Sequence, residues 1–212
     1  MKERGMIFNG EMVRALLDGR KTQTRRIVKG TDGAVKFCKE WDINGEEVFV
    51  VLGEKDHTGM NPVLGAISCP FGAVGDRIWV REAFRVHSRA TDVATLVYKA
   101  SERNSWTEQT HRVPVAVCNK PVTPEKWTPS LHMPRWASRI LLEITDVRVE
   151  RLKSISDGDA IREGCSTADM KSGDCVADVF ARLWASIYGA ESWNANPWVW
   201  VIEFKRVEGG AA

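Results

Sequence analysis

The chain has 212 residues, 43% of them hydrophobic, and a formal net charge of +2. That length reads as a single domain over residues 1–212 with room for a large insertion, and that apolar share supports an ordinary core. So small a charge excludes a globally basic surface, so any affinity for nucleic acid must come from a local patch. No apolar run has signal-peptide or membrane-spanning length, so no membrane association is expected.

The first predicted element is a short helix. Asn9 is placed to cap it, Phe8 and Val13 have the spacing of a hydrophobic staple, and Met12, Val13, Leu16 and Leu17 form one apolar stripe. Gly19 stops it. Thr22 to Val28 then reads as a strand. On a straight strand Lys21 and Thr24 point to opposite faces, and they converge only if the chain bends after Gly19.

Residues 35–52 predict a hairpin with Asn44-Gly45 at its turn, and 53–70 a loop. Gly75-Asp76 is a tight turn that opens a half-buried strand containing Ile78 and Val80. In residues 84–133, Leu96–Lys99 and Val113–Val117 read as short strands. Four prolines between Pro114 and Pro129, with Pro134 beyond, predict a long irregular connection, so this region is expected to be an insertion or lid.

Ile140 to Glu150 is the strongest strand. Ser156 and Asp159 form a capping-box pair that opens a helix closed by Gly164, with Glu163 on its last turn, where a carboxylate opposes the helix dipole. A second helix follows Asp174 as its cap, carries Val176, Val179, Phe180, Leu183, Trp184, Ile187 and Tyr188 on one stripe, and ends at Gly189. Asn196 to Val207 is a closing strand, and Glu208 to Ala212 a fraying tail. This order fits a small mixed or antiparallel β-barrel with peripheral helices better than an alternating α/β sheet.

Few motifs carry chemistry. The five cysteines are scattered without a CxxC pair, which argues against a disulfide framework and structural zinc, and the four histidines lack metal spacing. No cofactor is implied, and a reducing cytoplasm is the expected compartment. Nine tryptophans could serve a core, an interface or base stacking. The run Gly19-Arg20-Lys21-Thr22-Gln23-Thr24-Arg25-Arg26 has two readings: a solvated basic strand end, or an anion or nucleotide site in which a lysine activates a threonine hydroxyl.

The chain resembles ASCH-domain proteins of the PUA-like superfamily, in a phage or prophage branch. The resemblance rests on Leu16-Leu17-Asp18-Gly19-Arg20-Lys21-Thr22-Gln23-Thr24-Arg25-Arg26, on Gly75-Asp76, on Ile140–Glu150 running into the helix that ends Arg162-Glu163-Gly164, and on Trp200-Val201-Ile202-Glu203-Phe204. Residues 30–70 and 84–133 lie outside it. It implies an α+β fold with a PUA-like small barrel and a long insertion. It also implies an amidohydrolase that removes the acyl group from N(4)-acetylcytidine or a related nucleoside, with Lys21, Thr24 and Glu163 as catalytic residues.

In that chemistry Thr24 attacks the acyl carbonyl, Lys21 acts as base, and Glu163 donates to or orients the exocyclic nitrogen. Arg26 would bind a negative group or the oxyanion, and Trp79 or Trp136 would stack on the base. Arg20 and Arg139 complete the expected substrate contacts. Two other readings stand beside this one. An RNA-binding module or ribonuclease would use a rim of Arg20, Lys21, Arg25, Arg26 and Arg139. A phage adaptor would keep only a vestigial site.

Overall fold

The computed structural model describes residues 1–207. In chain order its main elements are β1 (Glu3–Ile7), α1 (Gly10–Leu17), β2 (Gln23–Ile27), β3 (Lys36–Trp41), β4 (Glu47–Leu52), β5 (Val63–Ile67), β6 (Arg77–Arg81), β7 (Phe84–Arg89), β8 (Val93–Tyr98), α2 (Trp106–Gln109), β9 (Thr110–Pro114), β10 (Leu141–Arg151), α3 (Asp157–Arg162), α4 (Val176–Tyr188), α5 (Ala190–Asn194) and β11 (Trp198–Arg206). The class is α+β. The predicted fraying tail Glu208–Ala212 lies outside the described residues.

The chain divides into two compact units, each made of discontinuous segments. The first holds Met1–Arg20, Asp76–Glu143 and the strand end from Lys205; the second holds Lys21–Gly75 and Ile144–Phe204. Strand β10 therefore starts in the first and continues in the second.

In the first unit α1 forms as its sequence predicts. Asn9 Oδ1 accepts from the Met12 N–H at 2.9 Å, and Met12, Val13, Ala15 and Leu16 are buried. Gly19, at φ +72°, takes the left-handed conformation that ends the helix. Strand β1 was not predicted, because its charged, glycine-containing sequence lacks an apolar period. It pairs in parallel with β6, from Glu3 opposite Arg77 to Ile7 opposite Arg81. Gly5 permits this pairing, since a Cβ there would lie 2.5 Å from the Trp79 indole. Strand β6 also pairs antiparallel with the start of β10.

Residues 84–133 are more regular than the prolines suggest. Strands β7, β8 and β9 make an antiparallel sheet. Phe84, Val86, Ala94, Leu96 and Val113 bury one face of it, with Cys118, Met133 and Ala137. The alternation Phe84/Val86 and Ala94/Leu96 is the period-two signal of a half-buried strand. Only the stretch from 115 to 129 keeps the predicted irregular course.

In the second unit β3 and β4 form the predicted hairpin, with Gly45 at φ +74° in its turn. Strand β5 adds to β4 inside the predicted loop; it is an end strand, mostly exposed, and so shows no alternation. Strands β10, β11 and β2 lie side by side in that order. Helices α3 and α4 cover one face of them: Ala160, Val176, Val179, Phe180 and Trp184 pack with Val199, Val201 and Ile27. Helix α4 starts one residue later than predicted. Its N-cap is Cys175, while the Asp174 carboxylate accepts from the Lys171 N–H and from Arg182.

The predicted small barrel is not found as a closed one. Closure needs the end strands of a sheet to pair with each other. Among the described residues β3 and β5 end one sheet and β7 and β9 another, and none of these end strands closes on its counterpart. No helix is long and apolar enough to cross a membrane among these residues.

Candidate active site

The three predicted catalytic residues belong to the second unit. Immediately before β2, Thr22 is fixed from both sides: its N–H donates to the Arg162 carbonyl at 2.8 Å, and its carbonyl accepts from the Phe204 N–H at 2.9 Å. From there the strand period takes over. Gln23 and Arg25 share one face, and Thr24 and Arg26 the other.

Lys21 joins the face of Gln23 and Arg25, and all three meet α3. Lys21 Nζ donates to the Glu163 carbonyl oxygen and to Glu163 Oε2, each at 2.8 Å. Arg25 Nη1 donates to Glu163 Oε1 at 3.2 Å, and Nη2 to Glu150 Oε2 at 3.2 Å. Gln23 Nε2 donates to the Asp159 carbonyl oxygen at 3.1 Å. The lysine and arginine thus take one oxygen each of a single carboxylate.

Helix α3 is short and held at both ends. Ser156 and Asp159 form the reciprocal capping box at its start. Glu163 is its C-cap, and Gly164 follows at φ +96°. The last carbonyls of a helix have no partner within it. Lys21 supplies one to the carbonyl of Glu163 and brings a cation to the helix end, which offsets the unfavourable placement of that carboxylate.

Burial sets the electrostatics. The side chains of Lys21 and Arg25 are fully buried and that of Glu163 is 2% exposed. Burial pushes the Lys21 ammonium below the ordinary lysine range; Glu163 opposes this shift and Arg26 adds to it. Burial would raise Asp159, but hydrogen bonds from Arg162 and Ser156 outweigh it and hold that carboxyl well below the usual range. The Cys165 thiol is pushed up to about 11, first by burial and then by Glu163.

Thr24 is fully buried opposite Ile202 of β11, and its hydroxyl has no hydrogen-bond partner. The hydrogen bonds of Lys21 therefore go to Glu163 and not to Thr24. A buried hydroxyl without a partner carries a desolvation cost on the order of 1–3 kcal/mol.

The predicted substrate residues are placed differently. Arg20 is exposed and pairs with Asp18 at 3.0 Å. Arg26 is half-buried and donates to the Arg25 carbonyl at 3.3 Å. Trp79, Trp136 and Arg139 belong to the first unit, where each is engaged. Trp79 lies against Gly5 and under the Arg81 guanidinium, and Trp136 packs edge-on to Phe84. Arg139 makes a bidentate pair with Glu82, at 2.9 and 3.1 Å, and lies 4.0 Å from the Tyr98 ring centroid.

Reading the sequence missed Arg25, Gln23, Asp159 and Glu150 as neighbours of the lysine. The available signal was parity: Lys21, Gln23 and Arg25 recur at every second position into a strand. The solvated reading of this run fails for Lys21 and Arg25, which are committed to carboxylates out of water. Among the described residues no group of three or more His, Cys, Asp or Glu side chains is arranged to hold a metal ion. Comparison with family models, curated proteins and solved structures gave no match.

Proposed function

We propose that this chain is an ASCH-type, PUA-like amidohydrolase that removes the acyl group from an N4-acylated cytosine nucleoside such as N(4)-acetylcytidine. The observation that carries the reading is the Lys21–Glu163 pair: an amine out of water, held by two hydrogen bonds and pushed toward its neutral form. Such an amine is the base that a threonine nucleophile needs. The Thr24 hydroxyl, three residues beyond Lys21 and without a hydrogen-bond partner, supports it.

In this mechanism opening of the strand end brings Thr24 Oγ1, which faces away from Lys21 in the closed form, within reach of the amine; Oγ1 then bonds to the acyl carbon and its proton passes to neutral Lys21. The C–N bond then breaks, and the proton goes from Lys21 to the exocyclic nitrogen as cytidine leaves. Water, deprotonated by Lys21, then attacks the acyl-Thr24 ester; the bond from the acyl carbon to Oγ1 breaks, Lys21 returns the proton to Oγ1, and the acid leaves. Glu163 orients the amine throughout. Because Lys21 and Thr24 are both buried, substrate entry requires this strand end to open.

The RNA-binding reading has less behind it. Lys21 and Arg25, two of its five rim cations, are buried on carboxylates and unavailable to phosphate.

The test is incubation with N(4)-acetylcytidine, following release of cytidine, with Lys21→Ala and Thr24→Ala alongside. Turnover that disappears in both folded variants is the expected result. No turnover by the folded wild-type protein, or full activity in either variant, would overturn the reading.

A further inference from the structure

Arg25 lies outside the expected catalytic and substrate-binding residues of the amidohydrolase reading, yet it is the largest fully buried side chain of the described chain. Its guanidinium contacts three carboxylates, Glu163 at 3.2 Å, Glu150 at 3.2 Å and Asp159 at 3.5 Å, and stands 5.8 Å from the Phe180 ring centroid. We propose that Arg25 is the positioning residue of the Lys21 site: by holding Glu163 Oε1, it keeps that carboxylate turned toward Lys21 and supplies the second positive charge that frees Lys21 to exist as the neutral amine. This inference rests on the amidohydrolase reading for its catalytic meaning, but its physical content does not.

The reasoning is one of charge balance in a dry site. Lys21, Arg25 and Glu163 have side chains 0%, 0% and 2% exposed, whereas Asp159, Glu150 and Arg148 are 12%, 28% and 28% exposed. The dry set therefore holds two cations and one anion. If Lys21 loses its proton, the set becomes neutral, because Arg25 stays charged at any relevant pH.

Without Arg25 the same deprotonation would leave Glu163 as an uncompensated buried carboxylate, which is costly. Lys21 would then be held as its permanent counter-ion. The two other carboxylates that Arg25 touches are shared with further arginines. Arg148 pairs with Glu150 at 2.6 Å and with Glu203 at 2.5 Å, and Arg162 pairs with Asp159 at 2.6 Å. The other groups acting on Lys21 are Arg26 of β2, which disfavours its charged form, and Cys165 after α3, which favours it.

Strand geometry explains why position 25 can do this. Two residues per repeat carry the chain about 6.6–6.8 Å. A longer guanidinium side chain two repeats from Lys21 reaches back to the same carboxylate while its other arm reaches Glu150. Arginine is also the side chain whose fork can serve two carboxylates at once.

The experiment is a titration of Lys21 by NMR in protein labelled with ¹³C at lysine Cε, without substrate, in wild type, Arg25→Met and Arg25→Lys. Lys21→Arg assigns the resonance. The Lys21 midpoint should rise by at least about 1 pH unit in Arg25→Met and stay within about half a unit of wild type in Arg25→Lys. If Arg25→Met does not fold, Arg25→Gln makes the same charge deletion while keeping a donor for Glu163.

An unchanged Lys21 midpoint in a folded charge-deleted variant would overturn the proposal, and so would an equal rise in Arg25→Lys. A side chain that served only packing would change stability without this charge-specific shift. The readout needs no turnover. A shifted midpoint in a protein that hydrolyses no acetylcytidine would uphold the charge role of Arg25 and defeat only the amidohydrolase reading.

Discussion

Lys21 Nζ and Glu163 lie 142 residues apart in sequence and are joined twice, through the backbone carbonyl and through Oε2, each at 2.8 Å. The pair is not symmetric in its surroundings. Glu163 keeps Arg25 if Lys21 is removed, whereas both cations lose their shared carboxylate if Glu163 is removed.

That asymmetry predicts the order of two stability effects. Glu163→Gln removes the carboxylate that Lys21 and Arg25 share, leaves Arg25 with Glu150 and Asp159 alone, and should cost about 3 kcal/mol, in the range for breaking a buried pair. Lys21→Met leaves a satisfied Arg25–Glu163 pair and should cost less than about 1 kcal/mol, or stabilise. Urea unfolding of both variants at pH 7 checks this, and the reverse order would show that the lysine, not the arginine, neutralises the carboxylate.

Thr24→Val separates stability from chemistry. Valine keeps the shape and removes the unpartnered hydroxyl, so the variant should gain about 1 kcal/mol. For a chain of this length that is a rise in melting temperature of roughly 2–4 °C. On the proposed mechanism the same variant should lose turnover. Equal or lower stability would mean that the hydroxyl is satisfied in solution.

Asp159 gives the fold an acid-sensitive term. Its carboxyl titrates below the ordinary aspartate value, held by Arg162 and Ser156 against the effect of burial. A depressed folded value means that the stabilisation is present in full above the unfolded aspartate pKa of about 4 and is lost as pH falls toward the folded value. Asp159→Asn should therefore cost about 1–3 kcal/mol at pH 7, and the two unfolding curves should converge below about pH 4. A gap that persists unchanged into acid would assign the loss to packing instead.

Gly5→Ala tests the pairing of β1 with β6. The added Cβ would lie 2.5 Å from the Trp79 ring. The ring or the strand must move, at a cost of about 1–3 kcal/mol. A changed tryptophan signature in near-ultraviolet circular dichroism, with lowered stability, is the expected result. No change in either would show that the indole does not lie across the strand.

Much of the fold was legible locally. Asn9 and Gly19 bound α1, Asn44-Gly45 turns the first hairpin, Ser156 and Asp159 start α3, and Gly189 ends α4. These signals act within a few residues, through caps and left-handed turns, so they survive without knowledge of the rest of the chain. Strands β1 and β5 left no such trace. The charged, glycine-containing run of β1 becomes a strand because β6 offers it a parallel edge, and β5 is an end strand with little to bury.

By itself the sequence determined the basic run around Lys21 and Thr24 and the parity that works against a direct pair between them; that Glu163 joins them was implied only by the resemblance to ASCH-domain proteins. Only the tertiary structure decided which face each side chain takes and who meets it there. It put Lys21 and Arg25 on the two oxygens of Glu163 and left the Thr24 hydroxyl without a hydrogen-bond partner on the other face. The physical reason is that charge in a run of basic residues says nothing about burial. Burial of a cation is tolerable only where a carboxylate arrives to meet it, and here that carboxylate comes from the far end of a helix more than a hundred residues away.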